Sequence, residues 1–400
     1  SFPNFLAVGF LAFIVLALCS VPVFAYMQAN VGNIHRYYAA SFLGGAIGIP
    51  VTLGLLEVAG DLRTASALLL LTILPPLVLV ANPRGRLLGV ALAVFATVTS
   101  VPAFQYLDAR AHRSSTYRDS DALSRVDVKP RRFPAAYAAD PSFDSTMAIE
   151  FAQGGRGGRT LASPIAVEGP PQLLRSDIRF LPWSAAPRKA IVLGSGGGIE
   201  LMGALRSGAT EVHAVEIDGK VLDYLHRFAP ASHNPYVSPK VFTYRGEGRD
   251  IAARIGRKWG ATFDLVYIPT AVLRAQSGQV FAQTHLVTEE AIHEYFGLLN
   301  PSGAVALSFP IPGDFRARVV TAMHRALSRR GVSDPSAHMR LFRGPGKWVV
   351  LGKPGQPFTD TETARLLDGT DQVERLDVQA DVRLAQALQP FDDNHPCLLP

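Results

Sequence analysis

The sequence has few cysteines, and its first quarter has few charged residues. Cys19 and Cys397 are the only cysteines among 400 residues, which excludes a disulfide framework and a cysteine-ligated zinc site. Residues 1–105 contain four arginines and two acids, namely Arg36, Arg63, Arg84, Arg86, Glu57 and Asp61. This local shortage of charge predicts a membrane part joined to a soluble part, instead of a wholly soluble enzyme or a disordered chain.

Four apolar stretches in residues 1–105 have the lengths expected of membrane helices. Each is close to the roughly 20 residues that cross a bilayer core. They are Phe5–Tyr26, Ala39–Val58, Ala65–Ala81 and Leu87–Phe104. Basic residues follow between positions 110 and 132, where lipid headgroups explain them better than nucleic acid does. The lipid bilayer is therefore an expected partner, and no nucleic-acid partner is expected.

The remainder divides into three predicted regions. Residues 106–180 are expected to form a linker and a small β-hairpin, with short strands on either side of the glycine-rich turn 154–158. Residues 181–355 alternate apolar strands with helical segments, the pattern of a parallel α/β sheet. Residues 356–400 are expected to be a helical or irregular tail.

A glycine-rich turn follows the first strand of the α/β region. The strand Lys189–Leu193 leads into Gly194, Ser195, Gly196, Gly197 and Gly198 and then into a helical stretch. Glycines in such a turn let a ligand approach the backbone and permit positive φ values. The turn therefore predicts a nucleoside-type site, although glycine-rich turns are common. The alternative is a sheet without a ligand, in which these glycines serve the turn alone.

Two acids stand where the next strands end. Glu216 ends a strand 22 residues after Gly194, where a carboxylate accepts hydrogen bonds from both ribose hydroxyls. Glu247, followed by Gly248, comes after the next strand and is positioned to accept from an adenine amino group. The expected ligand-binding residues are Gly194, Gly196, Gly197, Gly198, Glu216, Glu247 and Gly248.

The last two strands of the region complete the predicted fold class. Residues 339–343 and 347–351 flank the turn Gly344-Pro345-Gly346. An antiparallel hairpin that closes a mostly parallel sheet is typical of S-adenosylmethionine-dependent transferases. The predicted fold class is thus α/β, a doubly wound sheet of that type with a C-terminal antiparallel hairpin, preceded by an α-helical membrane domain of about four spans.

Four segments resemble the spermidine synthase (polyamine aminopropyltransferase) family, in particular its bacterial multipass-membrane branch. They are GSGGGIELMGALRSGATEVHAVEID, GEGRD, FDLVYI and LVTEEAIHEYFGLLNPSGAVALSF. The resemblance implies a cytoplasmic catalytic domain on a bacterial inner membrane that binds S-adenosylmethionine or its decarboxylated form, without a metal. It implies that the turn glycines contact the amino-acid or aminopropyl end, Glu216 the ribose and Glu247 the adenine.

The acids that polyamine synthesis requires are missing from the expected positions. The family carries an Asp-x-x-Asp pattern after the fourth strand, whereas this chain has Pro269 and Val272 there, followed by Arg274. A diamine arrives as a cation and needs carboxylates to bind it and to accept its proton. We therefore expect a neutral or anionic acceptor of unknown identity that contacts Arg274, with His285 or Tyr267 as the candidate proton acceptor.

Three functions remain open from the sequence. The first is a membrane-anchored, spermidine synthase-like protein that binds S-adenosylmethionine or its decarboxylated form. The second is an S-adenosylmethionine-dependent methyltransferase, and the third is a non-catalytic subunit of a membrane protein complex. The run Asp392-Asp393-Asn394-His395 does not add a metal site, because four consecutive residues cannot all converge on one ion.

Overall fold

The computed structural model describes residues 115–120, 125–153, 158–168, 177–269, 285–310, 314–368, 370, 373–384 and 392–393. The chain divides into two compact units, Ser1–Arg125 and Val126–Pro400. Strand β1, Tyr117–Ser120, is the described element of the first unit. The elements below belong to the second unit, apart from Arg125, the first residue of β2. The domain boundaries predicted from the sequence stay predictions.

A small antiparallel sheet precedes the α/β region. It contains β2 (Arg125–Pro130), β3 (Ile149–Gln153) and β4 (Gly158–Leu161), with β3 pairing to both neighbours. The short helix α1, Ala135–Ala138, lies between β2 and β3. Phe151 of β3 is fully buried. The predicted hairpin on either side of residues 154–158 is present as β3 and β4.

The main sheet has eight described strands in the order β12-β10-β11-β9-β8-β5-β6-β7. Their bounds are Lys189–Leu193 (β5), Glu211–Glu216 (β6), Val241–Arg245 (β7), Phe263–Ile268 (β8), Leu299–Phe309 (β9), Met339–Gly344 (β10), Lys347–Gly352 (β11) and Glu374–Leu376 (β12). Strands β5 to β9 pair in parallel, and β10 to β12 pair antiparallel. The doubly wound sheet with its antiparallel hairpin agrees with the α/β part of the predicted fold class.

Helices cover both faces of this sheet. Their bounds are Ile199–Arg206 (α2), Gly219–Phe228 (α3), Gly248–Trp259 (α4), Glu289–Phe296 (α5), Asp314–Arg329 (α6), Asp360–Leu367 (α7) and Val378–Leu384 (α8). On one face, α4, α5 and α6 pack with Val266 of β8 in a single apolar core. On the other, the 3₁₀ helix Ile178–Ala185 contacts α2 and β11, and its Trp183 ring meets Tyr267 of β8.

The predicted fold class is corrected in one respect. The longest helix in the described part of the chain, Asp314–Arg329, has 16 residues and carries several charges. Across the ranges given above, no helix combines the length and the apolar composition needed to cross a bilayer. The four stretches predicted as spans, all within residues 5–104, lie outside the described residues. For the described residues, the fold class is therefore corrected to the α/β domain alone, without a membrane-spanning helix.

The strand order places a crevice at one point of the sheet. From β5 the chain continues outward through β6 and β7 and then returns to β8 on the opposite side of β5. The connections that leave β5 and its neighbour β8 go to opposite faces of the sheet and open a gap between their carboxyl ends, which is where open α/β sheets bind ligands. The predicted glycine turn follows β5 directly and therefore lies at this crevice.

Candidate functional site

The glycine turn between β5 and α2 requires glycine at three of its positions. Gly194, Gly196 and Gly198 have φ values of 83°, 51° and 87°, which residues with a Cβ adopt at a cost. The turn is fixed to the next strand, because the N–H groups of Gly194 and Ser195 both donate to the Val215 carbonyl at 2.9 Å. The local sequence therefore produces a tight, well-anchored strand-to-helix turn.

The chain itself covers most of this turn. A Cβ on Gly197 would lie 2.1 Å from the Leu161 carbonyl oxygen, and one on Gly196 would lie 2.5 Å from Thr160 Cγ2. From the other side, the Tyr236 hydroxyl donates to the Gly196 carbonyl at 2.5 Å. A Cβ on Gly198 would likewise lie 2.5 Å from the Pro235 ring. Gly196, Gly197 and Gly198 thus serve close packing within the chain.

Gly194 is the exposed end of the turn. A Cβ built on it meets no atom within 4 Å, and the residue is exposed whereas the next four are buried. Of the four glycines of the turn that were predicted to bind a ligand, Gly194 is therefore the one that faces open space.

Glu216 lies beside the turn at the end of β6 and is 5% exposed. Its Oε2 accepts from the Gly196 N–H at 2.7 Å, and its Oε1 accepts from the Asp218 N–H at 2.9 Å. Burial raises the pKa of the Glu216 carboxyl to about 7, and the two backbone donors oppose this shift. The predicted ribose-binding acid is thus held against the glycine turn and titrates near neutrality.

Glu247 and Gly248 begin α4 at the end of the next strand. The Glu247 carboxylate caps the helix, accepting from the N–H groups of Arg249 at 3.1 Å and Asp250 at 2.8 Å. A Cβ on Gly248 would lie 2.8 Å from Leu286 Cδ2. The structure brings Glu247 and Gly248 to the same sheet edge as Glu216, and it shows a capping role for Glu247 that sequence reasoning missed.

The residues predicted for catalysis and for contact with the acceptor, Tyr267, His285 and Arg274, find less support in the structure than Glu216 does. Tyr267 is fully buried on β8, and its hydroxyl donates to the Arg179 carbonyl at 3.0 Å. Burial raises the pKa of this phenol well above its usual value, so Tyr267 is a poor proton acceptor. His285 is half-buried at the start of the segment that leads into α5. Arg274 lies outside the described residues.

A buried charged cluster that sequence reasoning missed lies ahead of the glycine turn. Arg179 binds Asp177 through Nη2 at 2.7 Å and through Nε at 3.1 Å. The Tyr137 hydroxyl completes the group, donating to Asp177 at 2.7 Å and accepting from Arg179 at 2.8 Å. Burial would raise the pKa of the Asp177 carboxyl, but the Arg179 guanidinium holds it well below its usual range.

Two further ionisable groups adjoin this cluster at the carboxyl edge of the sheet. Glu200, in the first turn of α2, lies 3.6 Å from Arg179 Nη1, and burial raises the pKa of its carboxyl. Burial, and then the nearby Arg179, lowers the pKa of the Lys347 ammonium group to about 8. These residues come from separate parts of the chain and form no motif, so their spacing in the sequence did not indicate that they would meet.

Among the residues with described positions, no three His, Cys, Asp or Glu side chains are grouped so as to hold a metal ion.

Comparison with known proteins gives structural neighbours at low identity. A spermidine synthase in complex with the transition-state analogue AdoDATO is 16% identical, with a TM-score of 0.41 over 61% of this chain and 73% of its own. A probable spermidine synthase from Corynebacterium glutamicum ATCC 13032 is 14% identical, with a TM-score of 0.46 over 72% and 98%. Human methyltransferase-like protein 13 in complex with SAH is 16% identical, with a TM-score of 0.35 over 55% and 91%.

No family model and no curated protein matches the chain. The structural neighbours are spermidine synthases and a methyltransferase-like protein. The sequence resemblance named the first kind of protein, and the alternative function, methyl transfer, named the second. At these identities and TM-scores they carry no argument about fold or activity. The assignment to a transferase-type α/β sheet rests on the strand order and the closing hairpin.

Proposed function

We propose that this domain binds S-adenosylmethionine or its decarboxylated form across the carboxyl ends of β5 and β6. The observation that carries the proposal is the Glu216 carboxyl, which lies at a strand tip against the Gly196 N–H. Each of its oxygens accepts one backbone hydrogen bond and retains a second lone pair. Two vicinal ribose hydroxyls match these two remaining acceptor positions.

The surroundings of Glu216 support a ligand of this size and shape. Gly194 leaves open space at the start of the turn for the sulfonium end. Gly248 and Leu286 lie at the next strand end and offer an apolar surface for the base. A nucleoside laid from β5 towards β7 would therefore meet backbone, carboxylate and apolar side chain in that order.

The charges at the carboxyl edge favour methyl transfer over transfer of an aminopropyl group to a diamine. Asp177 is paired with Arg179, and Glu200 lies beside both Arg179 and Lys347. The segment from Pro269 to Leu286 contains no acid. A dication would find few uncompensated carboxylates here, whereas a neutral or anionic acceptor meets no such obstacle. In methyl transfer the acceptor gains CH₃ and loses a proton, and the sulfonium becomes a neutral thioether.

Isothermal titration tests the binding proposal. S-adenosylmethionine, its decarboxylated form and S-adenosylhomocysteine are titrated into the native protein, Glu216→Gln and the control Glu374→Gln, which removes an exposed acid paired with Arg343. We expect Glu216→Gln to raise Kd roughly tenfold to a hundredfold, the loss of one charge-assisted interaction. The control should leave Kd unchanged.

The pH dependence of Kd tests the binding proposal independently. With the pKa of the Glu216 carboxyl at about 7, the carboxylate form is scarce at pH 6 and predominant at pH 8. Native affinity should therefore rise several-fold across this interval, and Glu216→Gln should show no such rise. Absence of binding by all three ligands, or equal Kd values for the two variants, would refute the proposal. Preference for the decarboxylated form would favour aminopropyl transfer.

A non-catalytic role in a larger assembly, the cellular location and the identity of partners and acceptor stay predictions.

A further inference from the structure

The C-terminal tail returns to the carboxyl edge of the sheet at Asp393. Asp393 Oδ1 accepts from Arg249 Nη1 at 2.7 Å and from the Thr288 hydroxyl at 2.9 Å, and Oδ2 accepts from Arg249 Nη2 at 3.0 Å. The Asp393 N–H donates to Glu290 Oε2 at 3.1 Å. Four hydrogen bonds therefore hold one tail residue to partners at positions 249, 288 and 290.

These partners belong to the two helices that begin beside the proposed nucleoside site. Arg249 is in the first turn of α4, next to the Glu247 cap. Thr288 is the N-cap of α5, and its hydroxyl oxygen accepts from the Ala291 N–H at 3.2 Å while its hydrogen goes to Asp393. Asp393 thus connects the start of α4 with the start of α5.

Between these two helix starts lies the segment 285–288, which forms part of the proposed site. Leu286 contacts Gly248, where an added Cβ would come within 2.8 Å of it. Val287 and Thr288 are fully buried. Any shift of segment 285–288 away from α4 would therefore move Leu286 off the surface proposed to hold the base.

The network around Arg249 explains why the connection depends on Asp393. Arg249 also binds Glu294 of α5, at 2.8 Å through Nε and 2.6 Å through Nη2. Without Asp393 the Arg249–Glu294 pair remains and keeps α4 and α5 together. The contact to the Thr288 hydroxyl, which fixes the end of segment 285–288, would be lost.

We infer that Asp393 is a positioning residue, which holds segment 285–288 against the start of α4 and thereby shapes the base side of the nucleoside site. The inference rests on the proposed function for its effect on binding. The structural part of the inference, that Asp393 restrains segment 285–288, does not depend on any ligand.

The first experiment uses no ligand. Amide hydrogen exchange is measured in the full chain for Asp393→Ala, which removes the acceptor of the Thr288 hydroxyl, and for a matched control, Asp377→Ala, which removes another tail acid from an exposed 3.5 Å contact with Arg383. We expect exchange in residues 286–292 to rise on the order of tenfold in Asp393→Ala alone, with β5 and β6 unaffected. Equal exchange in the two variants would overturn the inference.

The second experiment measures Kd for S-adenosylhomocysteine by titration calorimetry. If segment 285–288 occupies its position about a tenth of the time in Asp393→Ala, Kd rises about tenfold. Asp393→Glu, which keeps the charge and the acceptor oxygens, should recover part of the affinity, and Asp377→Ala should match the native protein. A general loss of structure would not be rescued by Asp393→Glu.

The outcomes distinguish the proposed function from the positioning role of Asp393. If the native protein binds none of the adenosyl ligands, the proposed function fails and the exchange experiment alone decides the restraint. If the native protein binds and Asp393→Ala binds equally well, the positioning role fails while the proposed function stands.

Discussion

Gly197 and Gly194 occupy the same turn and yet meet different surroundings. A Cβ on Gly197 would lie 2.1 Å from the Leu161 carbonyl oxygen and 2.6 Å from the Ala162 nitrogen. Both atoms are backbone and cannot rotate away as a side chain would. Gly194 has open space around it but a φ of 83°, so an added Cβ there meets conformational strain alone.

We therefore expect Gly197→Ala to lower the free energy of unfolding by roughly 3 kcal/mol, the upper end of overpacking costs. Gly194→Ala should cost about 1 kcal/mol, the strain of a non-glycine residue at positive φ. Urea unfolding of both variants gives the comparison. Equal losses, or a larger loss for Gly194→Ala, would contradict the packing of β4 against the turn.

At the scale of elements, the 3₁₀ helix Ile178–Ala185 is held by the charged cluster at its start. Asp177 caps this helix, accepting from the Arg179 N–H at 3.0 Å, and binds the same residue's guanidinium. The Arg179 side chain is 6% exposed. A guanidinium at that depth depends on its carboxylate, because water cannot replace the lost partner.

Asp177→Asn should lower the free energy of unfolding by about 3–5 kcal/mol, the range for breaking one partner out of a buried pair. Glu374→Gln is the control, because its pair with Arg343 is more than half exposed on both sides and such pairs contribute less than about 1 kcal/mol. Urea unfolding at neutral pH measures both. A loss for Asp177→Asn as small as that of the control would show that Arg179 gains another partner.

At the scale of the whole molecule, Arg206 of α2 connects the region around the small sheet to the α/β region. Arg206 donates to Asp140 Oδ2 at 2.8 Å, to the Ser142 hydroxyl at 2.5 Å and to the Ala166 carbonyl at 3.1 Å. Its side chain is 1% exposed and that of Asp140 is 7% exposed. Three acceptors from residues 140–166 thus converge on a single buried donor group.

Arg206→Met should loosen the small sheet ahead of the main sheet, since it leaves the buried Asp140 carboxylate without its cation. Amide exchange in β3 is expected to accelerate on the order of tenfold, whereas exchange in β5 and β6 should change far less. Mass-spectrometric exchange over time resolves these segments. A uniform acceleration across both sheets would mean that the two open together.

The sequence alone determined the features that depend on local pattern. Strands β5 and β8 are short apolar runs, as strands buried on both faces require, and the glycines of the turn stand where positive φ is needed. The position of Glu216 follows from the same logic, since it ends the next strand. The hairpin of β10 and β11 was readable from the Gly-Pro-Gly turn between two apolar segments.

Only the tertiary structure decided which side chains meet across long separations. The Asp177–Arg179–Tyr137 cluster, the cover of Thr160 and Tyr236 over the glycine turn, and the contact of Asp393 with Thr288 each join residues from distant parts of the chain. Periodicity describes how one segment presents its faces, but it carries no information on which distant segment packs against each face. Among the described residues, no helix is long and apolar enough to cross a bilayer, so the structure supports the α/β part of the predicted fold class alone.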